Sequence, residues 1–208
     1  IETTPGLRPP YDSLKWIDEN YASWASEQRQ NLYNNFREWY NQTKNITGPF
    51  IVVVSYSTSP VVDAIIREAE KNGRAAFCLY QGATNPPITT FLEELVNAKS
   101  LGRDINAIIS LYSWSLNYAN LPNGGALQEL TMMNIPVIKG VQLYDNSSLT
   151  NPLGAQYEWT WQVTIPSFEG VFSPILVSYT DNQGEEIPLE AGFKKIVDIA
   201  DKWAKLRE

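Results

Sequence analysis

A short apolar run, Phe50-Ile51-Val52-Val53-Val54-Ser55, does most to limit what this chain can become. It is continuous rather than alternating and rich in β-branched side chains, so it predicts a strand buried on both faces, as in the middle of a parallel sheet. Ser57-Thr58-Ser59-Pro60 follows, offering a hydroxyl N-cap and a proline for a first helical turn. Val61, Val62, Ile65, Ile66 and Ala69 then recur at the spacing of one buried helix face, and Lys71-Asn72-Gly73 supplies a cation and a C′ glycine to end it. Ala75-Ala76-Phe77-Cys78-Leu79-Tyr80 starts a second strand. Residues 50–80 therefore predict a βαβ unit with a right-handed crossover.

The rest of the chain repeats the rhythm. Residues 88–98 and 124–133 predict further helices, and residues 105–111 and 135–141 predict the third and fourth strands. The expected fold class is α/β, a parallel sheet flanked by helices. Upstream, residues 1–11 are proline-rich. Asp12 or Ser13 is placed to cap a long N-terminal helix running to about residue 43, with Leu14, Ile17, Tyr21, Trp24, Leu32, Phe36 and Tyr40 as its stripe. Downstream, residues 159–165 and 172–178 predict strands around a turn, and Asp181-Asn182-Gln183-Gly184 predicts another turn. Residues 189–206 predict a C-terminal helix with Phe193, Ile196, Val197, Ile199, Ala200 and Trp203 inward. Two parts result: residues 1–47 as an extended segment and helix, and residues 48–208 as the α/β domain.

Composition removes several kinds of chemistry. At 208 residues and 43% hydrophobic, the chain can fill one α/β core. A net charge of −7 without a basic cluster argues against nucleic acid as a partner. One cysteine and no histidine exclude an intrachain disulfide, an ordinary zinc site and a Ser-His-Asp or Cys-His arrangement. Cys78 lies in an apolar strand and reads as a buried, unreactive thiol. Proton transfer is left to carboxylates, lysines and tyrosines. No apolar run is long enough to cross a bilayer, and an opening Ile1 in place of methionine is expected of a piece of a longer protein.

In open parallel sheets, ligands bind beyond the carboxyl ends of the strands. Those ends run here into Ser55-Tyr56-Ser57-Thr58-Ser59, Tyr80-Gln81-Gly82-Ala83-Thr84, Tyr112-Ser113-Trp114-Ser115 and Gln142-Leu143-Tyr144. Hydroxyls, amides and aromatic rings gathered on one edge suit a large, flat, polar-rimmed ligand. Ser57, Thr58, Gln81, Tyr112, Trp114 and Gln142 are the candidate ligand-binding residues. No residue is assigned to a metal. Gly124-Gly125 lacks the lysine and spacing of a phosphate loop and reads as a turn. Of the carboxylates, Glu68, Glu70, Glu185 and Glu186 read mostly as solvated surface groups. Glu169 stands apart in Pro166-Ser167-Phe168-Glu169-Gly170, just past an apolar run.

That stretch and the units before it resemble the early part of the CobN / magnesium-chelatase H-subunit family, large subunits that hold a tetrapyrrole during metal insertion. The resemblance is carried by Val61 through Glu70 with Gly73, by Ile105-Asn106-Ala107-Ile108-Ile109-Ser110-Leu111, by Leu130 through Val141, and by Gln162 through Ile175. It implies a Rossmann-like or flavodoxin-like domain that helps enclose a corrin or porphyrin precursor. It also implies separate ATPase chelatase subunits as partners, the C-terminal remainder of the protein's own chain, and cobalt or magnesium as the metal inserted. No cofactor is implied for this piece itself. Carboxylates at the macrocycle face would take pyrrole protons and strip water from the ion, which makes Glu169 the catalytic candidate. The family pattern is Pro-Glu-x-(Asp/Glu)-Gly with a Glu-Pro soon after; here Ser167 and Ser173 stand at two of the three acid positions. The alternative is a non-catalytic module binding a tetrapyrrole or another small ligand at the cell surface. Sequons at Asn41, Asn45 and Asn146 accord with that location, whereas a chelatase subunit is expected in the cytoplasm. A further reading, a scaffold whose long first helix docks a partner, would need no ligand.

Overall fold

A computed structural model describes residues 14–15, 50–55, 59–80, 105–113, 134–150, 160–168 and 170–206. Its strands are β1 (Leu14–Lys15), β2 (Phe50–Ser55), β3 (Ala76–Tyr80), β4 (Ile105–Ser110), β5 (Val137–Leu143), β6 (Phe172–Thr180) and β7 (Glu186–Pro188). Its main helices are α1 (Pro60–Lys71) and the C-terminal helix Glu190–Lys205. Between β5 and β6 stand a short helix α2 (Ser147–Thr150), a π-helical turn Thr160–Thr164 and a short α3 (Ile165–Phe168), so the C-terminal helix is α4.

The seven strands form one sheet in the order β1-β3-β2-β4-β5-β6-β7. Every pairing is parallel except β6 with β7. From β3 to β6 this is the doubly wound order of flavodoxin-like sheets. The chain leaves β2 toward one edge and returns to β4 on the other side, so the order reverses between β2 and β4.

The apolar run behaves as its composition demands. Ile51 and Val53 pack with Val61, Val62, Ile65, Ile66 and Ala69 of α1 and with Ile196, Val197 and Ala200 of α4. Phe50, Val52 and Val54 lie outside that cluster and are equally buried. Both faces of β2 are dry. Helices α1 and α4 contact each other and share one face of the sheet. Gly140 in β5 meets Leu111, Val177 and Ile196 at the place a Cβ would occupy, which keeps this layer thin. The guanidinium of Arg74 pairs with Asp201, side chains 9% and 13% exposed, joining the approach to β3 to α4. Burial alone would raise the Asp201 carboxyl, but hydrogen bonds from Lys205 and Arg74 outweigh it and hold it below its ordinary range.

Several expectations change. Leu14 and Lys15, expected within the N-terminal helix, pair instead with Leu79 and Tyr80 as an edge strand; the rest of that expected helix, Asp12 and Ser13 included, and those at 88–98 and 124–133 lie outside the described residues. The segment expected as a strand at 159–165 is helical from Thr160. An apolar run of that length fits a buried strand or a buried helix turn equally well, and long-range contacts decide. Ser59, the one described residue of the three expected to offer a hydroxyl cap, does not supply it. Ser59 holds the N-cap position in an extended conformation but makes no side-chain cap bond. Its buried Oγ has no partner among the described residues. Ser59→Ala, which at a working cap costs about 1 kcal/mol, is therefore expected to change stability by less than about 0.5 kcal/mol in urea denaturation. A full cap-sized loss would show that the hydroxyl is engaged.

Candidate functional site

The strand ends beside the reversal are where β2, β4 and β5 release the chain. Ser55 closes β2 and Ser110 closes β4, 4% and 2% exposed. Leu111 N donates to Val54 O at 2.8 Å, which carries the β2–β4 pairing one residue further. Tyr112 and Ser113 follow, both buried. Ser113 Oγ and Tyr144 Oη share a hydrogen bond of 2.5 Å, so the tips of β4 and β5 are tied together. Tyr144 is 52% exposed.

Beneath these tips lies a charge that an apolar strand does not ordinarily carry. Lys139 sits in the middle of β5, opposite Ser110 of β4, and is 1% exposed. Its Nζ donates to the main-chain oxygen of Tyr112. Burial pushes the ammonium down from 10.5 to about 7.

A second polar cluster surrounds the tip of β5. The strand continues past its last pairing with β4 at Lys139, so the main chain near Gln142 needs another partner on that side. The amide of Gln162, fully buried in the π-helical turn, supplies it. Its Oε1 accepts from Gln142 N at 2.8 Å and its Nε2 donates to Gln142 O. The turn is thus clamped onto β5 by one side chain acting as a strand neighbour. The Gln142 side chain turns the other way, donating from Nε2 to Glu186 Oε1 at 2.6 Å. Ser178 Oγ donates to the same oxygen at 2.8 Å, and Val61 N in the first turn of α1 reaches Glu186 Oε2 at 3.3 Å. Glu186 is half-buried and bonded on both oxygens, contrary to the expectation of a solvated surface group.

Of the six candidate ligand-binding residues, Tyr112 and Gln142 fall within the described residues; Ser57, Thr58, Gln81 and Trp114 lie outside them, as does Glu169. Tyr112 is buried with its main-chain oxygen bonded to Lys139, and Gln142 is bonded to Glu186 and Gln162. Gly170 takes a left-handed φ of 77° and returns its N–H to Ser167 O at 3.2 Å, while Val171 N reaches Pro166 O at 3.2 Å. This is the Schellman pattern that ends a helix, and it explains why glycine stands at position 170. Ser167 is exposed and donates to Thr164 O at 2.7 Å; Ser173 takes a φ of 53°. Glu70, half-buried, is pushed up to about 7 by burial, with Arg67 opposing and Asp63 adding to the rise. It lies in the last turn of α1, away from the strand tips. Burial likewise raises the Cys78 thiol. Among the described residues, no three of His, Cys, Asp and Glu gather to hold a metal ion, and no helix is long and apolar enough to cross a membrane.

Lys139 and Gln162 are not among the candidates the sequence offers, and Glu186, one of the carboxylates that could act, reads there as a surface group. A lone cation inside an apolar strand was a legible sign of Lys139. Gln162 carried no such sign, because its role depends on where β4 stops. Glu186 and Val61 are 125 positions apart.

Comparison with known proteins supplies the family. The CobN/Magnesium Chelatase family model matches residues 10–208. An uncharacterized protein of Methanocaldococcus jannaschii, MJ1441, is 26% identical over 113 residues, covering 50% of this chain and 9% of that protein. The chain thus corresponds to a small part of a much longer relative. With its doubly wound strand order and a family match over nearly its whole length, the chain belongs to the CobN/magnesium chelatase family.

Proposed function

We propose that this chain is the tetrapyrrole-facing α/β module of a chelatase large subunit, and that the macrocycle, a corrin or porphyrin precursor, lies against the strand tips on either side of the β2–β4 reversal. The observation that carries this reading is the family match over residues 10–208 on a sheet whose order reverses between β2 and β4, with serine and tyrosine at the strand ends. In such sheets the reversal is where a ligand is accommodated without colliding with a crossover connection. Tyr144, half-exposed and held at its hydroxyl by Ser113, places an aromatic residue at this edge.

In this reading Glu169 is the carboxylate that takes a pyrrole proton and helps desolvate the incoming cobalt or magnesium, with ATPase subunits and the rest of the chain as partners. Support comes from its setting. The segment before it includes a π-helical turn, a geometry that recurs at functional sites, and Gln162 locks that turn to β5. Ser57, Thr58, Gln81 and Trp114 would complete the ligand edge.

Titration of the purified protein with a corrinoid and with a porphyrin tests binding through quenching of its 7 tryptophans. Saturable quenching is expected for at least one macrocycle; none for either would overturn the reading. In the full-length protein with its ATPase partners, Glu169→Gln is expected to slow metal insertion about a hundredfold while macrocycle affinity stays within about twofold. An unchanged rate would remove Glu169 from the reaction.

One observation favours a second reading, a binding module that does not metallate its ligand. Ser167 and Ser173 occupy two positions where the family pattern has acids, and the Ser167 hydroxyl is turned back onto Thr164 O. Macrocycle binding without insertion in the complete assembly would decide for it, and a glycan on Asn45 in native material would place the protein outside the cytoplasm.

A further inference from the structure

In a doubly wound sheet, the helix that follows the strand at the reversal points its N-terminus at the ligand crevice and ordinarily offers its free N–H groups to an anion. Here that helix is α1, and the position is already taken. Pro60 at its start has no N–H to give, and Ser59 makes no cap bond. A carboxylate arrives instead from β7, at the opposite edge of the sheet. Glu186 Oε1 receives Gln142 Nε2 at 2.6 Å and Ser178 Oγ at 2.8 Å, and Oε2 faces Val61 N at 3.3 Å. Three neutral donors from three separate elements converge on one carboxylate. Among the described residues, no lysine or arginine pairs with it, so the attraction comes from the donors and from the positive end of α1. Ser178 is fully buried and lies beneath the carboxylate.

We propose that Glu186 is a tethered anion that fills a carboxylate site built from Val61 N–H, Gln142 Nε2 and Ser178 Oγ, and so bars the acidic groups of any ligand from the N-terminus of α1. A carboxylated ligand entering between β2 and β4 must then present a neutral edge to this helix, which makes Glu186 a determinant of ligand orientation. The inference does not depend on what the ligand is, and it goes beyond the family assignment.

Removing the tether should leave the site open to a free anion. The test compares wild type, Glu186→Ala and Glu186→Gln in acetate, in inorganic phosphate and in chloride at equal ionic strength, with folding checked by circular dichroism. The wild type should melt at the same temperature in acetate and chloride. Glu186→Ala should bind acetate or phosphate saturably, at least about tenfold more tightly than the wild type, with a rise in Tm of about 2–4 °C near saturation. Glu186→Gln, which fills the same space, should show no such response. A folded Glu186→Ala that melts identically in all three salts would overturn the proposal, as would a wild type that responds equally. If Glu186→Ala does not fold in chloride, refolding in acetate gives the answer: recovery supports the open site, and none overturns it.

Discussion

Gly192→Ala is expected to destabilise the protein by about 3 kcal/mol or more. Two effects oppose each other at this position. Glycine inside a helix is worth about 1 kcal/mol less than alanine, so propensity alone favours the substitution in α4. Packing decides against it. A Cβ at residue 192 would stand 1.8 Å from Leu176 O, 2.9 Å from Leu176 C and 3.1 Å from Val177 Cα. These are main-chain atoms of β6, and no side-chain rotation relieves the overlap. The helix would have to lift off the strand and would loosen Ile196, Val197 and Ala200, which are completely buried against the sheet. Urea denaturation would report the loss as a lower midpoint. A variant as stable as the wild type would mean that α4 does not lie this close to β6.

Lys139→Met is expected to act in the opposite direction. A buried lysine resists protonation, so below its folded pKa the native state bears the cost of a poorly solvated ammonium. The unfolded chain keeps its lysine protonated up to about pH 10.4. The folded chain, with Lys139 pushed down to about 7, releases the proton much earlier. Between these two values the unfolded state binds more protons, so stability rises with pH. Glu70, pushed up to about 7, makes an opposite contribution that is half titrated at pH 7 and complete about one pH unit above it. The Cys78 thiol, raised in the folded protein, begins to oppose only near its ordinary value of 9. Glu70 and Cys78 are common to the wild type and the variant, so the difference in slope between the two from pH 7 to 9 isolates the lysine. Across that interval the wild type is expected to gain about 2 kcal/mol relative to Lys139→Met. At pH 7 the variant should be the more stable by about 2 kcal/mol, since an apolar side chain of similar volume avoids burying the ammonium even after the bond to Tyr112 O is lost. Equal slopes in urea denaturation at pH 7, 8 and 9 would show that Lys139 is not the titrating group.

Such a lysine invites the question of why it is there. It lies at the level of Ser110, two residues before Tyr112, and its bond to Tyr112 O fixes the path by which β4 leaves the sheet. A hydrophobic residue would make a drier strand but would leave that tip less constrained. The same trade is seen at Gln162, which spends a buried amide on holding the π-helical turn against β5. Both polar residues anchor segments that lead to the proposed ligand edge, and neither contributes to the apolar core beneath.

The parts of this structure that were legible in the sequence are those written in local periodicity. The unbroken β-branched run of β2, the i, i+3, i+4 stripe of α1 and the Gly73 that ends it, with a φ of 78°, are each decided within a few residues, because strand and helix geometry repeat at short range. The C-terminal helix was legible for the same reason, although Trp203 is more exposed than its inward stripe implied and meets Phe172 edge-to-face at 5.5 Å. Only tertiary structure could decide that Leu14 and Lys15 extend the sheet beyond β3, that residues from Thr160 coil instead of pairing, and that Glu186 rather than Ser59 meets the start of α1. Each of those outcomes is a competition between partners far apart in the chain: a strand edge needs a neighbour, an orphaned main-chain group needs an amide, a helix end needs a negative charge. Local pattern records the need but not which distant residue will meet it, since the choice follows from which strands become neighbours in the sheet.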